Sequence, residues 1–213
     1  MEATVKQARK LQAEQAIKAL ERNQINGYYV ESKEEVLAKI AELLPEGSSC
    51  GVGGSQTLAA TGVLDFLRSG RYTFYDRYAP GLTPEEINDV HRKVFSSDAL
   101  LCSCNAVTLN GELYNVDGNG NRTAAMIFGP KKVIMVVGVN KIVKDLEEAA
   151  ARVRLITAPA NALRLGTDTP CTKLGACADC KSKSRICCYY VTIGFQRDPN
   201  RIHVIFVGEE LGY

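Results

Sequence analysis

The sequence predicts an α/β fold with a largely parallel sheet. Three observations carry that reading. Segments with apolar residues at helical spacing alternate with short apolar runs for most of the chain, the pattern of strands joined by crossover helices. One run, KVIMVVG at residues 132–138, is apolar almost throughout, as a strand covered on both faces must be. Hydrophobic residues make up 46% of the 213 and charged residues 23%, enough for a sizeable core.

The elements follow in chain order. Ala13, Ala16, Ile17 and Leu20 form one apolar stripe, so the first segment is a helix, with Asn26-Gly27 as its stop. YYV at residues 28–30 is a short strand. Ser32 and Glu35 have the spacing of a capping box, ahead of an amphipathic helix marked by Val36, Leu37, Ile40, Leu43 and Leu44. SCGVGGSQTL then reads as strand, glycine turn and helix, and YTFY as a strand. Thr83, Pro84 and Glu86 supply a cap, a first helical position and the box partner for the next helix. DALLCS is a buried strand. In VTLNGELYNV, Asn110-Gly111 sits between two apolar stretches, a strong hairpin signal that adds an antiparallel element. GNRTAAMIFG is a short helix, KVIMVVG the apolar strand, and Leu146, Ala149, Ala150 and Val153 mark another helix. RLIT reads as a strand, and YYVTIGF and RIHVIFVG are the final two. The expected organisation is a single domain over residues 1–213, with a helical segment at 1–30 and a cysteine-rich stretch at 170–188 on a C-terminal lobe.

Charge and targeting signals narrow the function. The net charge is +2, with no clustered basic face to favour nucleic acid. No apolar run approaches the roughly 20 residues of a membrane span, and the start lacks an apolar leader core. The expected compartment is the cytoplasm, which keeps thiols reduced and argues against a disulfide framework.

Three stretches carry candidate chemistry. In CGVGGSQTL, Gly51, Gly53 and Gly54 let the backbone approach a ligand, while Ser55 and Thr57 add hydroxyls. The loop is neither a Walker A sequence nor the dinucleotide fingerprint, because no Gly-Lys-Ser/Thr follows and Gln56 replaces the third glycine. A tight turn with no ligand explains the glycines equally well. In NGELYNVDGNGNRTA, Asn115, Asn121 and Arg122 can grip a carboxylate or phosphate. Asp117 is the first candidate general base there and Glu112 the second. The competing reading is a turn rich in turn-forming residues.

The third stretch, CTKLGACADCKSKSRICC, has the spacing C-x5-C-x2-C-x6-C-C. Cys177 and Cys180 form a C-x2-C pair, and Cys171 and Cys187 can complete a tetrahedral shell or the corners of a cluster. Lys173, Lys181, Lys183 and Arg185 lie near enough in sequence to offset thiolate charge. Zinc and a 4Fe–4S cluster both fit the spacing, while a disulfide lobe or free thiols are the alternatives. Cys188 is a spare, and Cys50, Cys102 and Cys104 read as buried small hydrophobes. The CSC of Cys102 and Cys104 approaches the glycine turn if their strands are neighbours. His91 and His203 belong to no catalytic set.

Taken together, residues 110–143, 170–188 and 201–213 resemble the LUD domain, the lactate utilization protein family once known as a domain of unknown function. The most specific parts are residues 115–122, residues 138–141, and Cys171 to Cys187 with Arg185-Ile186. The resemblance implies a Rossmann-like sandwich of the NagB/RpiA/CoA-transferase type, with GVGGSQT at the place of a ligand loop. It implies that Cys171, Cys177, Cys180 and Cys187 are the cysteine pattern of a single-domain branch, with Cys188 where a polar residue is expected. It also places relatives in L-lactate oxidation, beside iron–sulfur redox partners.

Three functions follow as expectations. The first is a redox or accessory component that binds a small carboxylate or phosphorylated metabolite and carries a cysteine-bound metal or iron–sulfur cluster. The second is a non-catalytic binding or regulatory module with structural zinc or free thiols. The third is an isomerase or transferase related to sugar-phosphate isomerases, for which the glutamate or lysine signature is missing.

Overall fold

The computed structural model describes residues 2–213. In chain order the elements are α1 (Ala3–Arg22), β1 (Asn26–Val30), α2 (Val36–Leu43), β2 (Ser49–Val52), α3 (Gln56–Ala60), α4 (Val63–Leu67), β3 (Thr73–Tyr75), α5 (Pro84–Phe95) and β4 (Ala99–Cys102). Then come β5 (Ala106–Thr108), β6 (Leu113–Asp117), α6 (Asn121–Ile127), β7 (Lys132–Gly138), β8 (Ile142–Val143), α7 (Leu146–Arg152), α8 (Ala158–Leu165), α9 (Cys171–Leu174), β9 (Tyr189–Ile193) and β10 (Ile202–Val207).

Six strands form an all-parallel sheet in the order β1-β10-β7-β4-β2-β3. The fold is therefore α/β, as the alternation predicts. Side chains along β7 alternate between the two faces. Val133, Met135 and Val137 meet Ala16 and Leu20 of α1, Val94 of α5 and Met126 of α6. Ile134 and Val136 meet Val36 and Ile40 of α2, Leu58 of α3 and Leu67 of α4. Each of the large aliphatic side chains among these contributes about 1.5–3 kcal/mol by leaving water. The continuous apolar pattern of β7 exists because both faces are covered. The last strand, β10, lies between β1 and β7 with all six residues buried, so the segment after the cysteines completes the central sheet.

A second sheet, ordered β8-β5-β6-β9, stands beside the first. Its β5–β6 hairpin turns at Asn110-Gly111, as predicted, with Val107 opposite Leu113. Gly111 has φ +80° and seats the turn on α1, where an added Cβ would lie 2.5 Å from the Ala19 carbonyl carbon. Asn23 Nδ2 donates to the carbonyls of Asn110 and Gly111 at 3.0 Å each. Gly111→Ala should therefore destabilise the protein by about 2 kcal/mol, from a left-handed backbone and a lost seat on α1; a urea titration followed by circular dichroism measures it.

The Thr83 capping box forms in full. Glu86 N–H donates to Thr83 Oγ1 at 3.2 Å, and Thr83 N–H donates to Glu86 Oε2 at 2.7 Å. The Ser32 box does not form. Residues Lys33–Glu35 make a tighter 3-10 turn, Ser32 gives no side-chain cap, and Glu35 accepts from Glu31 N–H at 3.4 Å instead. Nor is Asn26-Gly27 the stop of α1. Gln24, at φ 58°, makes that turn, and Gly27 lies in β1 because a Cβ there would come within 2.9 Å of Ile17 Cγ1. The predicted strand RLIT is a π-helical turn, Val153–Thr157, joining α7 to α8. The wider turn brings Thr157 Oγ1 within 2.8 Å of its donor, Arg152 Nη1. Among the described residues no helix is long and apolar enough to cross a membrane.

Candidate functional site

In a parallel α/β sheet the open crevice lies beyond the carboxyl ends of the strands. Here the segments after β2, β4, β7 and β10 converge on one cavity of about 100 Å³. They bring Gly54 and Ser55, Ser103 and Asn105, Lys141, and Tyr213 to its wall. Asp117 comes from β6, Arg122 from α6, Thr157 from the π turn, and Asn161 and Arg164 from α8. Because β2 and β4 pair, Gly53 N–H donates to Leu101 O at 2.9 Å, and Cys102 does approach the glycine turn.

Lys141 is the buried centre of this cavity, with 3% of its surface exposed. Its Nζ donates to Thr57 Oγ1 at 2.9 Å and Ser103 Oγ at 3.1 Å. Among the described residues it has no carboxylate partner in any ion pair. Burial, then Arg152, pulls its pKa from 10.5 to about 7; Arg122 adds to this and Cys104 opposes it. Residues 211–213 cross above the amine. Thr57 Oγ1 donates to Leu211 O at 3.1 Å, Asn140 Nδ2 donates to Gly212 O at 3.1 Å, and Gly212, at φ +61°, leaves no room for a side chain near Thr57. Among the described residues, the buried hydroxyl of Tyr213 has no hydrogen-bond partner.

Arg122 lines the cavity with its guanidinium held by the protein itself. Its Nε donates to Asp117 Oδ1 at 3.1 Å, its Nη1 to Ser103 O at 2.9 Å and Asn115 Oδ1 at 2.7 Å, and its Nη2 to Asn105 Oδ1 at 3.2 Å and Val116 O at 3.0 Å. All five donors of the guanidinium are occupied. Asp117 is equally committed, since its Oδ2 accepts from Thr123 N–H and Thr123 Oγ1. The pair fixes the β4–β5 connection to β6, so both residues position the wall they line.

The other sequence-predicted ligand residues divide. Gly54 and Ser55 line the cavity; Gly51, Gly53, Thr57, Asn115 and Asn121 do not. A Cβ on Gly51 would meet Val94 Cγ2 at 2.1 Å, and one on Gly53 would meet Arg122 Cδ at 2.8 Å. These glycines admit neighbouring side chains. Thr57 acts through Lys141, Asn115 through Arg122, and Asn121 faces His91. The helix α3 has only five residues, and its Leu58 N–H is taken by Ser55 Oγ at 3.2 Å. Glu112 accepts from Thr108 Oγ1 at 2.9 Å and lies away from the cavity.

The lining residues that sequence reading missed include Lys141, Ser103, Asn105, Asn161, Arg164 and Tyr213, and Cys104, read as a buried small hydrophobe, lines the cavity too. Two had a signal. Ser103 and Lys141 follow apolar strands, where the carboxyl-end rule directs attention.

Cys171, Cys177, Cys180 and Cys187 line a second, smaller cavity of about 20 Å³ with Thr169, Ala178, Arg185 and Ile186. All eight cysteines are free thiols. The Cys187 thiol is pushed up to about 11, first by burial and then by Cys177, with Cys171 and Cys180 adding and Arg185 opposing. Arg185 ties the loop together through the carbonyls of Cys180 and Cys187 and the carboxylate of Asp179. Among the described residues, no group of three or more His, Cys, Asp or Glu is arranged to hold a metal ion. A zinc ion about 2.3 Å from each sulfur would need the four roughly 4 Å apart, so the donor set matches a four-thiol centre in type and number but not one closed on a single ion. This cavity is tied to the first through the backbone, because Cys188 N–H donates to Asp117 O at 2.9 Å.

The LUD domain family model matches residues 13–207. No curated protein matches the chain. Among solved structures, the chain is similar to a DUF162 family protein from Deinococcus radiodurans, with TM-score 0.51 and 19% identity over 95% of this chain and 98% of that one. It is also similar to the tetrameric eIF2B-beta2-delta2 complex from C. thermophilum, with TM-score 0.41 and 14% identity over 82% and 55% of the two chains. Ribose 5 phosphate isomerase A from Neisseria gonorrhoeae has TM-score 0.41 and 14% identity, over 84% of this chain and 93% of that one.

Proposed function

The chain belongs to the LUD domain family, and from that premise we propose that it binds a small anionic metabolite, a carboxylate or phosphate ester, in the cavity around Lys141. One observation carries this reading: a buried amine stands among Arg122, Arg152 and Arg164 with no carboxylate of its own. Among the described residues the one acid on the wall, Asp117, is already engaged by Arg122. Burying positive charge without a counter-charge costs several kcal/mol. A bound anion supplies that counter-charge and draws a proton onto the amine. Calorimetric titration of small carboxylates and phosphates at pH 8, in buffers of different ionisation enthalpy, should show binding with proton uptake. Lys141→Met should weaken that binding at least tenfold, a change of about 1.4 kcal/mol. Binding that is unaltered by this substitution would reject the site.

A redox or accessory role is favoured by the four thiols gathered on one cavity. Their like charges, once ionised, repel unless a cation or cluster joins them. We read Cys171, Cys177, Cys180 and Cys187 as the holders of an iron–sulfur cluster, which when bound would supply one-electron transfer. Protein purified without oxygen should then contain iron and acid-labile sulfide, and Cys177→Ser should lose both. Zinc alone would favour the structural-module reading, and metal-free protein of unchanged stability the free-thiol one. The isomerase or transferase reading has less support, because neither Asp117 nor Glu112 offers a free carboxylate to the cavity.

A further inference from the structure

We propose that Lys141 is a nucleophile that condenses with the carbonyl group of a small 2-oxo acid held in the cavity, forming a reversible imine. The inference rests on reading this cavity as an anion site and adds a covalent step to it.

The hydrogen-bond inventory around the amine is the first support. Thr57 Oγ1 gives its own hydrogen to Leu211 O at 3.1 Å, and Ser103 Oγ gives its hydrogen to Cys104 O at 3.4 Å. Both hydroxyl oxygens therefore face Lys141 as acceptors, at 2.9 and 3.1 Å. A neutral amine has two N–H donors, which these two acceptors satisfy, and its lone pair is left over. An ammonium would have a third donor with no partner on the protein. The site is thus built for the neutral, nucleophilic form, and the depressed pKa of about 7 agrees.

The surroundings select the electrophile. A neutral amine needs a carbonyl carbon, and the cationic wall needs an anionic group. The cavity is small at its inner end, about 100 Å³, so a compact molecule with carbonyl and anion close together suits it. A 2-oxo acid has both on adjacent carbons. Arg164, at the exposed mouth and bound only to Asn161 Oδ1, is placed for the carboxylate. The partnerless hydroxyl of Tyr213 is placed for the carbonyl oxygen.

The step balances without a redox partner. The nitrogen lone pair forms the C–N bond as the carbonyl π pair moves to oxygen. Two protons pass from nitrogen to that oxygen, relayed by the Tyr213 hydroxyl. The oxygen leaves as water and a C=N bond remains.

The test is reductive trapping. The folded protein is incubated separately with glyoxylate, pyruvate and 2-oxobutyrate in sodium cyanoborohydride, and the adduct is located by peptide mass mapping. Lys141 should be labelled at least tenfold faster than any other lysine, and Lys141→Arg should abolish that label alone. Labelling spread over surface lysines, or no label, overturns the inference. Calorimetry with the same acids and no reductant separates the two readings. Binding without a Lys141 adduct removes the covalent step and leaves the anion site; absence of both removes both.

Discussion

Replacing Arg122 with methionine should lower the unfolding free energy by about 3–5 kcal/mol, the range for removing one partner of a buried charged network. The side chain is nine-tenths buried and donates to five acceptors on two segments of chain, residues 103–105 and 115–117. Methionine fills much of the volume and supplies none of the donors. The Asp117 carboxylate then stays half-buried with only Thr123 as partner, and the carbonyls of Ser103 and Val116 lose theirs. Lysine should recover little, because an ammonium cannot reach acceptors spread around a planar fork. Asp117→Asn should cost less than Arg122→Met, since the amide oxygen can still accept from Arg122. The measurement is the urea midpoint and slope for the three variants. A loss under about 1 kcal/mol for Arg122→Met would mean that the network is not a structural tie. In that case the arginine would again be a candidate for gripping ligand.

This network shows why the fold was more legible than the site. The alternation of helix and strand patterns, the Asn110-Gly111 hairpin and the Thr83 cap are local signals, and each is written within a dozen residues. The RLIT turn is local too, but its β-branched pattern suits a strand as well as a widened helix, and only its attachment to α7 and α8 decides. The four cysteines were legible as a group because they lie within seventeen positions, and they do line one cavity. Lys141 was not legible as a site. Its partners Thr57 and Ser103 come from segments 84 and 38 positions away, and only the parallel order of β2, β4 and β7 brings them together. Asp117 and Arg122 stand out in the sequence because they sit in a polar loop. The structure shows that loop residues can be conspicuous for the tie they make to the backbone.

Lys141→Met should stabilise the ligand-free protein by about 2–3 kcal/mol at pH 7 and flatten its stability between pH 7 and 8.5. The amine has a pKa of about 7 when folded and 10.5 as the reference for the open chain. Between those values the unfolded chain binds a proton that the native state does not. Stability therefore rises with pH from this group, as linkage requires when the unfolded state holds more protons. The full interval corresponds to about 5 kcal/mol at 1.36 kcal/mol per pH unit. Methionine removes that burden but leaves Thr57 and Ser103 short of a donor, at a cost of about 1–2 kcal/mol. Other groups bound the window. His91 and His203 are both depressed by burial below 6.5, so their contributions are complete by about pH 7.5 and are the same in both proteins. Above about pH 8.5 the thiols take over. Cys50 and Cys102 are pushed up to about 12 and Cys187 to about 11, so the unfolded chain loses protons that the native state keeps, and stability falls. Reduced and without ligand, the wild-type protein should gain about 1.5 kcal/mol more than Lys141→Met between pH 7 and 8.5, the raised thiols acting equally on both. Urea titrations at half-unit pH steps distinguish the two. Equal slopes would show the amine charged in both states, which would remove the physical basis of proton uptake on anion binding and of imine formation alike.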